Sequence, residues 1–198
     1  MGEAAKDLSY ISLEDYFRID RLAEMRSDWY RGEMFAMAGG TTNHSRIKTN
    51  LMGLLATQLR GKACEPLDSD QRLSALESGL RTYPDASIFC DPIVYDEADA
   101  QRDTATNPTV VFEVLSDSHE AYDRGLKSDS YRRISSLQAY LLISQHEPHV
   151  EMFERLGDGS WRFSEVRGLD PCMVIACAGV TLPLGDLYHR VSFSPAQS

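Results

Sequence analysis

The strongest constraint in this sequence is Val110-Val111-Phe112-Glu113-Val114-Leu115-Ser116, a run of strand-forming residues with one carboxylate set in its middle. Unbroken Val, Phe and Leu read as a strand buried on both faces. A carboxylate inside such a strand must be paired, bind a metal, or take up a proton. Alternation puts Val111, Glu113 and Leu115 on one face and Val110, Phe112 and Val114 on the other. Upstream, Tyr83-Pro84-Asp85-Ala86-Ser87-Ile88-Phe89-Cys90 has the same form, with Asp85 near its start. Two such strands side by side would bring two carboxylates together. Downstream, Asp123 to Ile134 reads as a helix that aligns Lys127, Tyr131 and Ile134 at i, i+4 and i+7, which puts Lys127 on a buried edge.

A chain of 198 residues, 42% hydrophobic and 25% charged, suits one globular domain. The expected domain spans 10–190, with flexible termini at 1–9 and 191–198. No apolar run approaches the ~20 residues needed to span a bilayer. Met1-Gly2-Glu3-Ala4-Ala5-Lys6-Asp7 is too polar for a signal peptide, so the expected location is cytoplasmic, with no membrane partner. Cys64, Cys90, Cys172 and Cys177 form no C-x-x-C pair and read as reduced core residues. His146 and His149 form H-x-x-H, but Pro148 between them argues against a helix, and the pair reads as surface loop.

The net charge of −10 argues against a general polyanion binder, because non-specific nucleic-acid affinity comes mainly from Lys and Arg on phosphates. Its distribution softens that objection. Asp85 to Asp123 holds ten acidic residues and one basic residue, Arg102, whereas His44 to Lys62 holds four basic residues and no acidic one. An acidic block containing both candidate ligands suits a divalent cation, with a basic helix beside it to meet phosphate. Asp96 to Asp103 within that block reads as a solvated acidic loop.

Along the chain, Ser12 caps a short helix whose apolar positions run through Ile19 and Leu22. Trp29 to Ala38 reads as a strand pair or bent strand with Gly32 at the turn or bulge. The longest helix runs from about His44 to Arg60, with Asn43 as N-cap, Gly61 past its end, and a core face of Ile47, Leu51, Leu54, Leu55 and Gln58. His44 falls on that face, and spacing alone favours a satisfied core residue. Cys64 to Leu76 and Gly79 to Asp91 read as two strands joined around Glu77-Ser78-Gly79. Ala139 to Ser144, His149 to Arg155 and Trp161 to Val166 are further strands, and Cys172 to Leu187 closes the fold.

Tyr83-Pro84-Asp85, Val111 to Ser116, and Tyr122-Asp123-Arg124-Gly125-Leu126-Lys127 with Tyr131, taken in order, resemble the Uma-type restriction endonuclease family, long catalogued as a domain of unknown function. That family lies within the nuclease superfamily named for the pattern P-D, then D or E, x, K. The resemblance covers nearly the whole chain, from the Gly32-Glu33 strand and Asn43-His44-Ser45 to Val180-Thr181-Leu182-Pro183. It implies an α/β fold with a restriction-endonuclease-like core, a central mixed β-sheet flanked by α-helices. Two residues after Glu113 stands Leu115 where the superfamily has lysine, and the resemblance implies that Lys127 substitutes from the helix. Asp28 is a smaller departure, at a position where the family more often shows glutamate.

The implied activity is metal-dependent hydrolysis of nucleic-acid phosphodiesters, with DNA the expected partner. Asp85 and Glu113 would hold Mg²⁺ or Mn²⁺, since a hard cation takes one or two carboxylates plus water and phosphate oxygens. Lys127 would act as electrostatic catalyst. His44 and Glu33 would support, and Ser116 with Gln71 or Asp70 would complete the shell. Two alternatives stand beside this reading: a buried Glu113–Lys127 salt bridge with no metal, which leaves Asp85 unexplained, and a binding or interaction module, as a homodimer, that keeps the nuclease fold without cutting. No G-x-S-x-G elbow supports a serine hydrolase.

Overall fold

The computed structural model describes residues 10–37 and 40–193. The expected flexible termini lie outside the described residues except for 191–193, which are tied down. Val191 and Phe193 pack on the core, and Asn43 Nδ2 donates to Ser192 O at 2.7 Å.

The element order is α1 (Leu13–Leu22), β1 (Ser27–Tyr30), β2 (Glu33–Ala36), α2 (Thr42–Leu59), β3 (Glu65–Asp68), β4 (Arg72–Ala75), β5 (Leu80–Thr82), β6 (Ala86–Phe89), β7 (Thr104–Ala105) and β8 (Val110–Val114). There follow α3 (Glu120–Tyr122), a π-helical turn (Asp123–Lys127), α4 (Ser128–Tyr131), β9 (Ala139–Ile143), β10 (His149–Arg155), β11 (Trp161–Arg167), β12 (Cys172–Ile175), β13 (Val180–Pro183) and α5 (Leu184–Leu187). The central sheet has six strands in the order β11-β10-β9-β8-β6-β3 and is mixed, with β8 and β9 parallel. A parallel neighbour needs a crossover, and residues 120–131 supply it in helical form. A second, five-stranded sheet runs β2-β1-β5-β4-β7, and β12 pairs with β13. The expected single central sheet is therefore accompanied by a second one.

Alternation along β8 divides the core. Val110, Phe112 and Val114 pack with Ile47, Leu51, Leu55 and Leu59 of α2, which recur every four residues. Val111 and Leu115 pack on the opposite face with Tyr131, Tyr140, Leu73 and Leu80, joining the central sheet to the crossover helix and the five-stranded sheet. Glu113 belongs to that second face.

Several local expectations are corrected. The long hairpin over 64–91 breaks into β3, β4, β5 and β6, with β3 and β6 in the central sheet and β4 and β5 in the other. The break after β5 falls at Tyr83-Pro84-Asp85, where proline has no N–H for a ladder. Arg31 and Gly32, with φ of 50° and 101°, form the two-residue turn between β1 and β2. Thr41, rather than Asn43, caps α2, accepting from His44 N at 3.1 Å. Ile19 and Leu22 are exposed, and α1 instead buries Tyr16, Phe17 and Asp20.

Cys64 and Cys90 are not free core thiols. They continue the β3–β6 register by one pair beyond Glu65↔Phe89 and form a disulfide. Cys172 and Cys177 are exposed. The Asp96–Asp103 segment is exposed at Glu97, Ala98 and 100–103 but not at Asp96 and Asp99, which are buried: Arg81 pairs with Asp96 at 2.7 Å, and Arg21 pairs with Asp99. His146 is exposed as expected, but His149 opens β10, is buried, and meets Glu165 at 2.8 Å. Among the described residues no helix is long and apolar enough to cross a membrane.

Candidate active site

β6 and β8 run antiparallel with Ala86 opposite Phe112, so one further step of the register sets Asp85 opposite Glu113. Residues directly opposite share a face. Asp85 Oδ2 accepts from Val114 N at 2.7 Å, which fixes the carboxylate against the end of β8. Both acids line a cavity of about 730 Å³, walled by the start of α2, the β1–β2 hairpin and the π-helical turn.

Lys127 reaches the same point from the crossover. A π-helical turn carries one residue more per turn than an α-helix and often marks a functional site. Here it replaces the regular helix expected over 123–134, yet both aligned side chains arrive. Lys127 Nζ lies 3.0 Å from Glu113 Oε1, and Tyr131 OH donates to the same oxygen at 2.8 Å. Nζ also lies 3.3 Å from Asp123 Oδ1 and 3.8 Å from Asp28 Oδ2. Leu115, two residues after Glu113, is core.

His44 sits on the cavity wall rather than in the core, with Nε2 3.3 Å from Asp85 Oδ2. One turn later, Lys48 Nζ stands 3.1 Å from Asp85 Oδ1. Ser116 also lines the cavity. Glu33, expected as a supporting residue, is exposed on β2 and outside the lining, because it pairs with Tyr30 at the hairpin turn. Asp28, on the neighbouring strand of that hairpin, supplies the carboxylate instead. Gln71 and Asp70 also lie outside the lining; Gln71 bonds the Arg72 and Asp103 carbonyls, and Asp70 pairs with Arg26.

Lys48, Asp123 and Asp28 were not singled out as site residues from sequence. The first two carried a signal: Lys48 follows His44 by four residues on α2, and Asp123 precedes Lys127 by four, spacings that share a helix face. Asp28 showed only through the resemblance, as a position where the family more often has glutamate.

The charges are unequal. Asp28, Asp85, Glu113 and Asp123 are all buried, against the ammoniums of Lys48 and Lys127. Burial, followed by the neighbouring charges of Asp123 and Asp85, raises the Glu113 carboxyl well above its ordinary value despite Lys127. Burial also raises Asp123. Burial pulls Asp85 the same way, but the hydrogen bond and charge of His44, the Lys48 ammonium and the Val114 N–H outweigh it and leave its pKa lowered.

Among the described residues no group of three or more His, Cys, Asp or Glu side chains is arranged to hold a metal ion. A Mg²⁺-type cation does not need one, because it keeps waters and binds through one or two carboxylates. The donor set fits such an ion. Among the described residues Glu113 Oε2 has no protein partner, and buried Asp123 Oδ1 has the Lys127 charge nearby but no hydrogen bond. Four buried carboxyl groups against two lysines leave an acidic excess that a divalent cation would offset.

A pH test follows from these shifts. Glu113 has a folded pKa above its unfolded value of about 4.5, so its contribution to stability is complete below that value and is lost as pH rises through the folded pKa. Asp85 acts oppositely, contributing above its unfolded value and losing the contribution as pH falls through the lowered folded one. In urea unfolding with chelator between pH 5 and 8, Glu113→Gln should gain on the parent protein as pH rises. A difference that stays flat across that range would contradict the raised carboxyl.

The family model described as "Putative restriction endonuclease", Uma2, matches residues 13–185. This chain belongs to that family. Two relatives come from Synechocystis sp. (strain ATCC 27184 / PCC 6803 / Kazusa). "Uncharacterized protein slr1290" is 32% identical over 183 residues, covering 92% of this chain and 94% of its own, and "Uncharacterized protein sll1609" is 33% identical over 158 residues, covering 80% and 88%. This chain also shares its fold with the crystal structure of a putative nuclease belonging to DUF820 from Anabaena variabilis ATCC 29413. The TM-score is 0.72 at 16% identity, over 90% of this chain and 97% of that one. The mixed α/β architecture with helices flanking mixed sheets is thus the fold of that neighbour.

Proposed function

We propose that this chain is a divalent-metal-dependent nuclease that hydrolyses phosphodiester bonds, with DNA as substrate and Mg²⁺ or Mn²⁺ as cofactor. The observation that carries the reading is the placement of Asp85 opposite Glu113 at one wall of an open cavity, with Lys127 seated on Glu113. Membership of a family described as restriction endonucleases supports it. Asp85 and Glu113 would hold the cation, with Asp123 and Asp28 behind them. The cation would polarise a phosphodiester and lower the pKa of an attacking water. Lys127, kept protonated by the carboxylates around it, presents a fixed positive charge to the charge that develops on the phosphate. His44 and Tyr131 hold Asp85 and Glu113 in orientation.

Plasmid nicking with Mg²⁺ or Mn²⁺ tests this. Asp85→Ala and Glu113→Ala should each lower nicking by about 10³-fold or more, since each removes part of a term worth several kcal/mol. Nicking that survives both substitutions within about tenfold would exclude this site. The net charge of −10 favours a second reading, a non-catalytic module on the same fold. A parent protein that neither nicks nor binds Mn²⁺ would select it.

A further inference from the structure

Given the metal-dependent nuclease reading, on which this step rests, we infer that Lys48 is an exchangeable counter-ion. It holds Asp85 in the cation-free protein and turns to a substrate phosphate once the cation takes the carboxylate.

Both Asp85 oxygens are occupied. Oδ2 accepts from Val114 N and faces His44, while Oδ1 faces Lys48 at 3.1 Å. A cation reaching Oδ1 meets the Lys48 ammonium at close range, and the two positive charges repel. The Val114 N–H is backbone within the central sheet and stays. Oδ1 is freed by the movement of one flexible side chain, and Lys, with four rotatable carbons and a compact ammonium, is suited to move.

The two lysines of the site differ in the freedom this requires. Lys127 is 6% exposed at its side chain and lies among three carboxylates. The Lys48 side chain is 27% exposed, lines the cavity and, among the described residues, makes one other polar interaction, donating to Ser69 Oγ at 3.0 Å. Ser69 gives it a pivot, because Arg26 fixes that turn by donating to Ser69 O at 2.5 Å and pairing with Asp70 at 2.8 Å.

Charge points the same way. Lys48 and Lys127 are the two ammoniums set against the four acids. An added dication would make Lys48 surplus at Asp85, and an ammonium on the cavity wall is placed for an incoming phosphate. Lys48 is a positioning residue in this scheme and would act on metal and substrate in opposite directions.

Calorimetric titration with Mn²⁺ of the parent protein, Lys48→Met, Lys48→Arg and Glu113→Ala tests it. Lys48→Met should bind Mn²⁺ about tenfold more tightly because the competitor is gone, while Lys48→Arg, which keeps the charge, should stay within about twofold of the parent. DNA binding, measured with Ca²⁺ in place of Mn²⁺, should weaken in Lys48→Met, with the log–log salt slope shallower by about one. A Lys48→Met protein that binds Mn²⁺ no more tightly than the parent overturns the inference. If Glu113→Ala has meanwhile lost Mn²⁺, the nuclease reading survives that result. If the parent binds no Mn²⁺, or Glu113→Ala binds it equally, both fall.

Discussion

Replacing Lys127 with methionine is expected to destabilise the fold by about 3–5 kcal/mol, the usual cost of removing one partner from a buried ion pair. Methionine keeps most of the volume, so the loss is of charge rather than packing. Nζ serves Glu113 at 3.0 Å, Asp123 at 3.3 Å and Asp28 at 3.8 Å, and all three acids are buried. Burial alone would lower the Lys127 pKa, but these acids and Tyr131 outweigh it and raise it, so the side chain is an ammonium at neutral pH. Without it, three carboxylates face one another with Lys48 as the remaining ammonium of the site. The deficit in urea unfolding with chelator should be larger at pH 8 than at pH 5, where Glu113 can protonate instead. Mg²⁺ should recover part of the lost stability, since a cation that binds only the folded state adds to it. A deficit below about 1 kcal/mol at pH 8 would mean that the three acids are not charged together.

How far the sequence discloses this site depends on what each residue is held by. Glu113 and Asp85 are legible because strand periodicity is local: an acid in an unbroken apolar run has few explanations, and a shared strand form makes the two acids neighbours. Lys127 is legible through the i, i+4 spacing to Tyr131, and survives even though the turn around it is π-helical. Asp28 is hidden because its partner is long-range: it reaches Lys127 only once the five-stranded sheet packs against the crossover. Glu33 is misplaced by the same blindness, since two acids on adjacent strands of one hairpin cannot be told apart until the register shows which is buried. The division of the 64–91 hairpin between two sheets is likewise non-local, though Pro84 marks where the ladder must stop. Asp96 and Asp99 look solvated by composition alone. Their burial depends on arginines 15 to 78 residues away.

The same non-local chemistry makes Arg72 the second sensitive position, and Arg72→Met should also cost about 3–5 kcal/mol in urea unfolding at pH 7. Arg72 is buried, and each nitrogen of its fork donates a hydrogen bond. Nε donates to Tyr83 OH at 2.8 Å, Nη2 to Asp20 at 2.8 Å, and Nη1 to Asp103 at 2.9 Å and Thr104 at 3.0 Å. Its guanidinium also lies 5.2–5.6 Å from the ring centres of Tyr16, Phe17 and Tyr83. Tyr83 in turn donates to Asp20 at 2.5 Å, and burial followed by that bond raises its phenol, which stays protonated as a donor. Removing the fork strands buried Asp20 and loosens Tyr83, two residues before Asp85. The effect should therefore reach the site: nicking by the folded variant, measured below its unfolding temperature, should fall by at least about tenfold, because a misplacement near 1 Å can cost that much or more. Arg72→Lys should recover only part of the stability, since an ammonium cannot bond Asp20, Tyr83 and Asp103 in one plane. Full recovery with lysine would mean that charge alone holds α1 to the Tyr83-Pro84-Asp85 turn, and that the planar bonding is incidental.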